Sequence, residues 1–170
     1  MDAVASGRIV FENVTELLAA ARGAPGQRTF YLVAGHPDRW VRVWLEKTQL
    51  QTLGESIDQL LAGRQEATAQ PAEALLSTDD PPGKPAAEFR AGRLGLGHDP
   101  NRDMIVLLAQ AQEEEPVVQF WASREQMQAL SKRIGEVVAA GRPLCQLCGG
   151  PIDPGGHMCV RSNGHHRVSA

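Results

Sequence analysis

Nowhere do the 170 residues stay apolar for the ~18 positions of a membrane-crossing helix, which excludes a helical membrane span. Aromatic side chains are scarce at 5% (three Trp, one Tyr, four Phe), too few for obvious stacking platforms for single-stranded nucleic acid. Neither sign of charge dominates: 17 Lys and Arg stand against 20 Asp and Glu, a formal charge of -3. A chain that coats nucleic acid over its whole surface would be basic. The opening MDAVASGRIVFENV has an early acid and no basic start, so no secretory signal is expected there and a cytoplasmic protein is. Cysteines number only three, all within residues 145–159. An odd, clustered set is a poor disulfide framework and a good metal-ligand pattern. Apolar content of 42% and charged content of 22% are ordinary for a globular chain. This length can bury a core without staples.

Residues 7 to 45 read mostly as strand. GRIVFENV is a short candidate. RTFYLVAG (28–35) and WVRVWL (40–45), separated by the turn HPDR, read as a hairpin. In the second of these, Trp40, Arg42 and Trp44 alternate with Val41, Val43 and Leu45. TELLAAARG suits a helix by its Ala and Leu and a strand by its short length. The period then lengthens: Leu50, Leu53, Ile57, Leu60 and Leu61 line one face of a helix over 46–63. Gly54 within it implies a close packing contact. Residues 64–87 break the pattern with Pro71, Pro81, Pro82 and Pro85, and STDDPPGKP is expected as an exposed loop. Strands resume at AEFRAGRLGLG (87–97), DMIVLLAQAQ (103–112) and VVQFWA (117–122). A second helix follows, with Ser123 and Gln126 at capping-box spacing and Met127, Leu130, Ile134, Val137 and Val138 as its buried stripe.

Four segments result: 1–63, a strand-rich half ending in a helix; 64–87, a Pro-rich linker; 88–141, a second such half; and 142–170, a Cys/His tail. The halves match at a constant offset of 77: Trp44, Gln49, Gln51, Leu53, Ile57 and Ala62 meet Trp121, Gln126, Gln128, Leu130, Ile134 and Ala139. The expected fold is α+β, a mostly antiparallel sheet covered by two helices, with an internal hairpin-plus-helix duplication and a zinc-knuckle-like tail. Trp44 and Trp121, at equivalent junctions, are expected in the core.

The tail carries the chemistry. Cys145 and Cys148 form CxxC followed by two glycines, which let backbone amides turn toward thiolates. GGPIDPGGH can only bend the chain back, bringing Cys159 to the first pair. The fourth ligand is His157 or His165; His165 lies closer to common Cys3His spacing, and His166 is a weaker third choice. Three thiolates and an imidazole suit Zn2+, one per chain. A site with four protein ligands has no open position and is structural, and the segment's only acid, Asp153, offers little as a general base. A redox CxxC would open a helix, whereas this one follows a helix.

The reading that follows is a non-enzymatic adaptor or regulatory protein whose braced tail, with Arg161 and Arg167, meets a protein partner. A second reading is nucleic-acid binding: beyond Gly141, Arg142, Arg161 and Arg167 against Asp153 give 3 − 1 = +2, with Ser162, Asn163 and His165 as supplementary phosphate contacts. A third is a hydrolase or phosphoryl-handling enzyme using His36, Asp38, His98, Asp99 and Asp103. Both histidines sit beside Asp and Pro in turns, where local bonding explains them more simply. GRLGLG lacks the lysine and following helix of a phosphate loop. No membrane partner is expected.

GAPGQRTFYL (from 23), LEKTQLQTL (from 45), FRAGRLGLGHDPNRD (from 89) and CQLCGGPIDPGGHMCVRSNGH (from 145) resemble the DUF3090 family of uncharacterised bacterial, mainly actinobacterial, proteins. The resemblance spans nearly everything outside 64–87. It implies a strand at TELLAAARG and no established activity, and hints at association with phosphatase-like and kinase-like proteins. The family tail has Pro where this chain has Val160, and often an aromatic where it has His165. That departure favours His157 as the fourth ligand.

Overall fold

The computed structural model describes residues 4–5, 7–24, 26–63, 79–140, 145–149, 152, 156–159, 161 and 167–168. Its elements in chain order are β1 (Val4–Ala5), β2 (Arg8–Phe11), β3 (Glu16–Arg22), β4 (Thr29–His36), β5 (Arg39–Leu45), α1 (Lys47–Ala62), β6 (Ala87–Asp99), β7 (Met104–Ala111), β8 (Val117–Ser123) and α2 (Arg124–Ala139). Two short tail strands follow, β9 (His157–Met158) and β10 (Arg167–Val168). The segment TELLAAARG is thus strand, and both helices fall where the 3.6-residue period puts them.

Eight strands form one sheet, in the order β1-β2-β8-β7-β6-β5-β4-β3. Neighbours are antiparallel except β2 with β8 and β5 with β6. Those two parallel contacts come from bent strands. In β6, Ala87–Arg90 run beside Val41–Trp44; the register then shifts between Ala91 and Arg93, and the rest of the strand pairs with β7. Gly92 sits at the shift, where a Cβ would come within 2.8 Å of the Gln112 Cα. β2 and β3 repeat this course: β2 lies on β8 and β3 on β4. Between them the Val14 N–H bonds the Trp121 carbonyl (3.1 Å) and the Thr15 N–H bonds that of Gly35 (2.9 Å). Residues 12–15 therefore join the two ends of the sheet, which closes on itself as a barrel through its bent strands.

The 77-residue offset runs through the interior. Phe30 and Leu107, Leu32 and Ala109, Val41 and Val118, Val43 and Phe120, Leu45 and Ala122, Leu50 and Met127, Leu53 and Leu130, and Ile57 and Ile134 all belong to one buried cluster. Each fully buried large side chain stabilises by about 1.5–3 kcal/mol, and both halves supply them, so neither owns a separate core. The junctions correspond as well. Gln49 accepts the Glu46 N–H and donates to the Ala91 carbonyl; Gln126 accepts the Ser123 N–H and donates to the Val14 carbonyl. Each glutamine therefore caps its own helix and holds the bend of the other half's strand. The helices meet where Ser131 Oγ lies 3.2 Å from the Gly54 carbonyl. A Cβ on Gly54 would stand 3.0 Å from Ile134 Cγ2, the close contact its place in the helix implies.

Outward-facing residues of the first half form a smaller cluster of Leu18, Tyr31, Val33 and Trp40, with Trp44 at its margin. Residues 79–86 strap this face. The Ala86 N–H bonds the Trp40 carbonyl at 2.7 Å and Pro81 is buried. Of the expected exposed loop, Ser77 and Thr78 lie outside the described residues, Asp79, Pro82, Gly83 and Lys84 are exposed, Asp80 and Pro85 are half-buried, and Pro81 is buried. Arg42 lies over the rings of Tyr31, Trp40 and Trp44 and pairs with Asp80 and Glu88. Burial opposes its charge, but Glu88 and Asp80 outweigh burial and raise its pKa. The core placement expected for Trp44 and Trp121 is corrected. Both face outward and are half-buried, because the alternation that buries Val43 and Phe120 turns their neighbours out.

Candidate metal centre

After α2 the chain makes one tight turn at Cys145–Gly149. The Gly149 N–H bonds the Cys145 carbonyl at 2.8 Å, and Gly149 takes a φ of 72° that a side chain would resist. The turn points the Cys148 and Leu147 amides at the Cys145 sulfur. These backbone bonds, helped by His157 and the Cys148 thiol, lower the Cys145 pKa to about 6. A thiol so placed favours the thiolate, the form a metal requires.

Cys159 returns to this turn as expected. Its sulfur lies 3.8 Å from that of Cys145, and Cys148 Sγ lies 3.9 Å from His157 Nε2. One ligand atom from each of Cys145, Cys148, His157 and Cys159 falls within 4.8 Å of all the others. A disulfide would need about 2.05 Å between sulfurs, and the three cysteines are free thiols. Four donors around a central point with bonds of about 2.0–2.3 Å stand roughly 3.5–3.8 Å apart, so the spacing is compatible with a bound metal ion.

Cys145, Cys159 and Ile152 are buried together as a small core of the tail's own. Ile152 escaped the sequence reading; as the one large apolar residue inside the Gly/Pro bend it was open to detection. β9, which carries His157, pairs antiparallel with β10, so Arg167 and Val168 lie beside Met158 and His157. Arg161 is exposed and donates to the Leu147 carbonyl at 3.3 Å, reaching across to the CxxC turn. The backbone of Arg167 pairs with Met158. His165 and His166 lie outside the described residues, as do Arg142, Asp153, Ser162 and Asn163.

The other sequence candidates stand in folding contacts. His36 Nδ1 meets Thr15 Oγ1 at 3.0 Å, and its ring is edge-on to Phe11. His98 Nε2 meets Asp103 Oδ1 at 3.2 Å, which together with Arg124 lowers the Asp103 pKa. Asp99 accepts the Asn101 N–H at the β6–β7 turn, and Asp38 is exposed in the β4–β5 turn. GRLGLG is the second half of β6, with no helix after it. The Arg42, Asp80 and Glu88 cluster also escaped the sequence reading. An arginine between two outward tryptophans was its one signal. No curated protein and no solved structure matches this chain. A family model described as a protein of unknown function, DUF3090, matches residues 9–159, and the chain belongs to that family.

Proposed function

We propose that Cys145, Cys148, His157 and Cys159 hold one Zn2+ per chain as a closed structural site, and that the protein is a cytoplasmic, non-enzymatic adaptor whose braced tail meets a protein partner. The convergence of three sulfurs and one imidazole nitrogen within 4.8 Å carries this reading. Three thiolates and an imidazole suit a tetrahedral, borderline-soft ion, and a reducing compartment keeps the thiols available. A filled four-ligand shell leaves no position for substrate. The histidines and acids open to an enzymatic reading are engaged in turns and strand contacts instead. Metal binding then orders the tail and holds Arg161 and Arg167 on a fixed base, which lowers the ordering cost of an encounter. The shared core positions, capping glutamines and bends further support descent of the two halves from one hairpin-plus-helix unit.

Elemental analysis of protein purified without chelator is expected to give about one zinc per chain, lost in Cys159→Ser. A value near zero would overturn the metal reading. Chelation should remove amide protection from 145–159 and leave the barrel protected, because the barrel has its own core. Partner capture is expected to fall in R161A/R167A and in a chain ending at Gly141. Equal capture by all three would remove the tail from the binding surface, and co-purified RNA in place of protein would favour nucleic acid.

A further inference from the structure

Among the described residues, the second half of β6 is paired on one side only. Its residues from Arg93 to Asp99 bond β7, and no strand among the described residues lies on the other side. In an antiparallel pair every second residue turns its N–H and C=O away from its partner. Either Leu94 and Leu96, or Arg93, Gly95 and Gly97, therefore present backbone donors and acceptors along an unpaired edge. That edge borders a groove of about 410 Å3, whose opposite wall is α1. Thr48, Thr52 and Ser56 line this wall, spaced one helical turn apart. Leu94 and Leu96 form part of the strand side, half-buried. Thr48 to Ser56 extends about 12 Å along a helix. Gly92 to Leu96 extends about 13 Å along a strand. Walls of matched length, one offering hydroxyls and the other unpaired peptide groups, suit an extended chain better than a compact molecule.

Among the described residues, Arg93 is the only charged one lining the groove; it is exposed and makes no ion pair with any of them. The bond from Gln49 to Ala91 ties the start of α1 to the start of this strand segment, so Arg93 belongs to the Thr48 end. We propose that the groove between α1 and the unpaired edge of β6 takes an extended peptide of about four residues as an added strand, with a carboxylate of that peptide on Arg93. Strand addition draws affinity from main-chain bonds and specificity from pockets for alternate side chains. Half-buried Leu94 and Leu96 would meet one face of the peptide, and the α1 hydroxyls its polar groups. This site is separate from the tail and does not depend on the metal.

The test uses the full metal-loaded chain and a phage-displayed library of random octapeptides, followed by synthetic copies of enriched sequences. Enrichment of peptides with alternating β-branched residues and an acid is expected. Binding should protect amides within 93–97 from exchange and fall at least tenfold in Thr52→Trp and, independently, in Ser56→Trp. Both positions lie on the α1 wall of the groove and outside the buried core. R161A/R167A should bind as wild type does. Arg93→Glu should weaken binding at least tenfold. Loss on amidation of the peptide C-terminus would assign the carboxylate to a free terminus, and loss on Glu→Gln to a side chain; loss on neither overturns the Arg93 contact. The proposal also fails if no sequence is enriched over the Thr52→Trp protein, or if inorganic phosphate or acetate displaces the peptides at equal occupancy. It fails too if the edge amides are already protected without peptide, which would mean that this chain's own residues fill the groove.

Discussion

α1 and α2 occupy corresponding places, yet one lies closely on its strand and the other stands off. α2 packs on β3, where Leu17 and Ala19 are buried and Ala129 faces inward at 2% exposure. Adding 77 to the strand residues gives Leu94 and Leu96, both half-buried; subtracting 77 from Ala129 gives Thr52, which is exposed. A small apolar residue lets a helix approach a strand edge, and a hydroxyl that keeps its water holds the helix off. The outer faces differ in the same spirit. In the first half, Tyr31, Val33 and Trp40 are buried and strapped by residues 79–86, whereas in the second Val106, Leu108 and Trp121 remain half-exposed. One architecture thus carries a sealed half and an open half, and binding is expected on the open one.

The widest gap should appear in the core. Leu130→Ala is expected to lower unfolding free energy by about 2–5 kcal/mol, with Leu53→Ala at the low end because it borders the groove and its surroundings can relax. Chemical denaturation measures both, and a Leu53 loss equal to or above that of Leu130 would mean the groove is closed. Next is the strap. Asp80→Ala removes one of the two carboxylates on Arg42 and should cost about 1–3 kcal/mol. Arg102→Ala, over Trp121 on the open side, should stay within about 0.5 kcal/mol. Equal losses would erase the distinction between the faces.

A pH series sharpens it further. Trp44 and Arg42 bond Glu88 and hold its pKa below the ordinary glutamate value. The stabilisation is fully present above the unfolded value of about 4.3. It is lost as pH falls through the lower folded value, because the unfolded chain takes up the proton first. Glu88→Gln should therefore flatten stability against pH below about 4.3, as read from thermal melts, and an unchanged slope would dissociate Glu88 from the strap. The one expected gain in stability belongs to Gly95→Ala. A Cβ there would meet only Leu108, at an ordinary 3.8 Å. A gain of roughly 0.4–1 kcal/mol follows from the reduced freedom of the unfolded chain, and a loss would mean that the strand needs glycine there.

Much of this was legible because it is local. Period-two alternation around Val41–Leu45, period-3.6 stripes in both helices, and the Gln49/Gln126 match identified the strands, the helices and their correspondence. The Cys145, Cys148, Cys159 set was legible because metal chemistry restricts residue type and spacing together. What escaped depends on neighbours far apart in sequence. Nothing in GRIVF or AEFRA says that each is half of a bent strand leaning on the other half of the chain. Nor does Thr52 alone announce a groove; its meaning appears only beside Ala129 and the two strand faces. The outward tryptophans were misplaced for the same reason, since aromatic character suggests burial and only the register decides which face is inside.

The closure of the barrel has a consequence for biosynthesis. β2 is made early, yet its partner strand begins at Val117, 109 residues later by subtraction of the paired positions 8 and 117. At a synthesis rate of about 5–20 residues per second, that edge waits roughly 5–20 s for its partner to be made. Until then this edge of β2 is open to any passing strand. The nascent chain therefore relies on its surroundings to keep this edge apart from those of its neighbours, and the final closure joins one of the first strands made, the four-residue β2, to the last strand of the barrel.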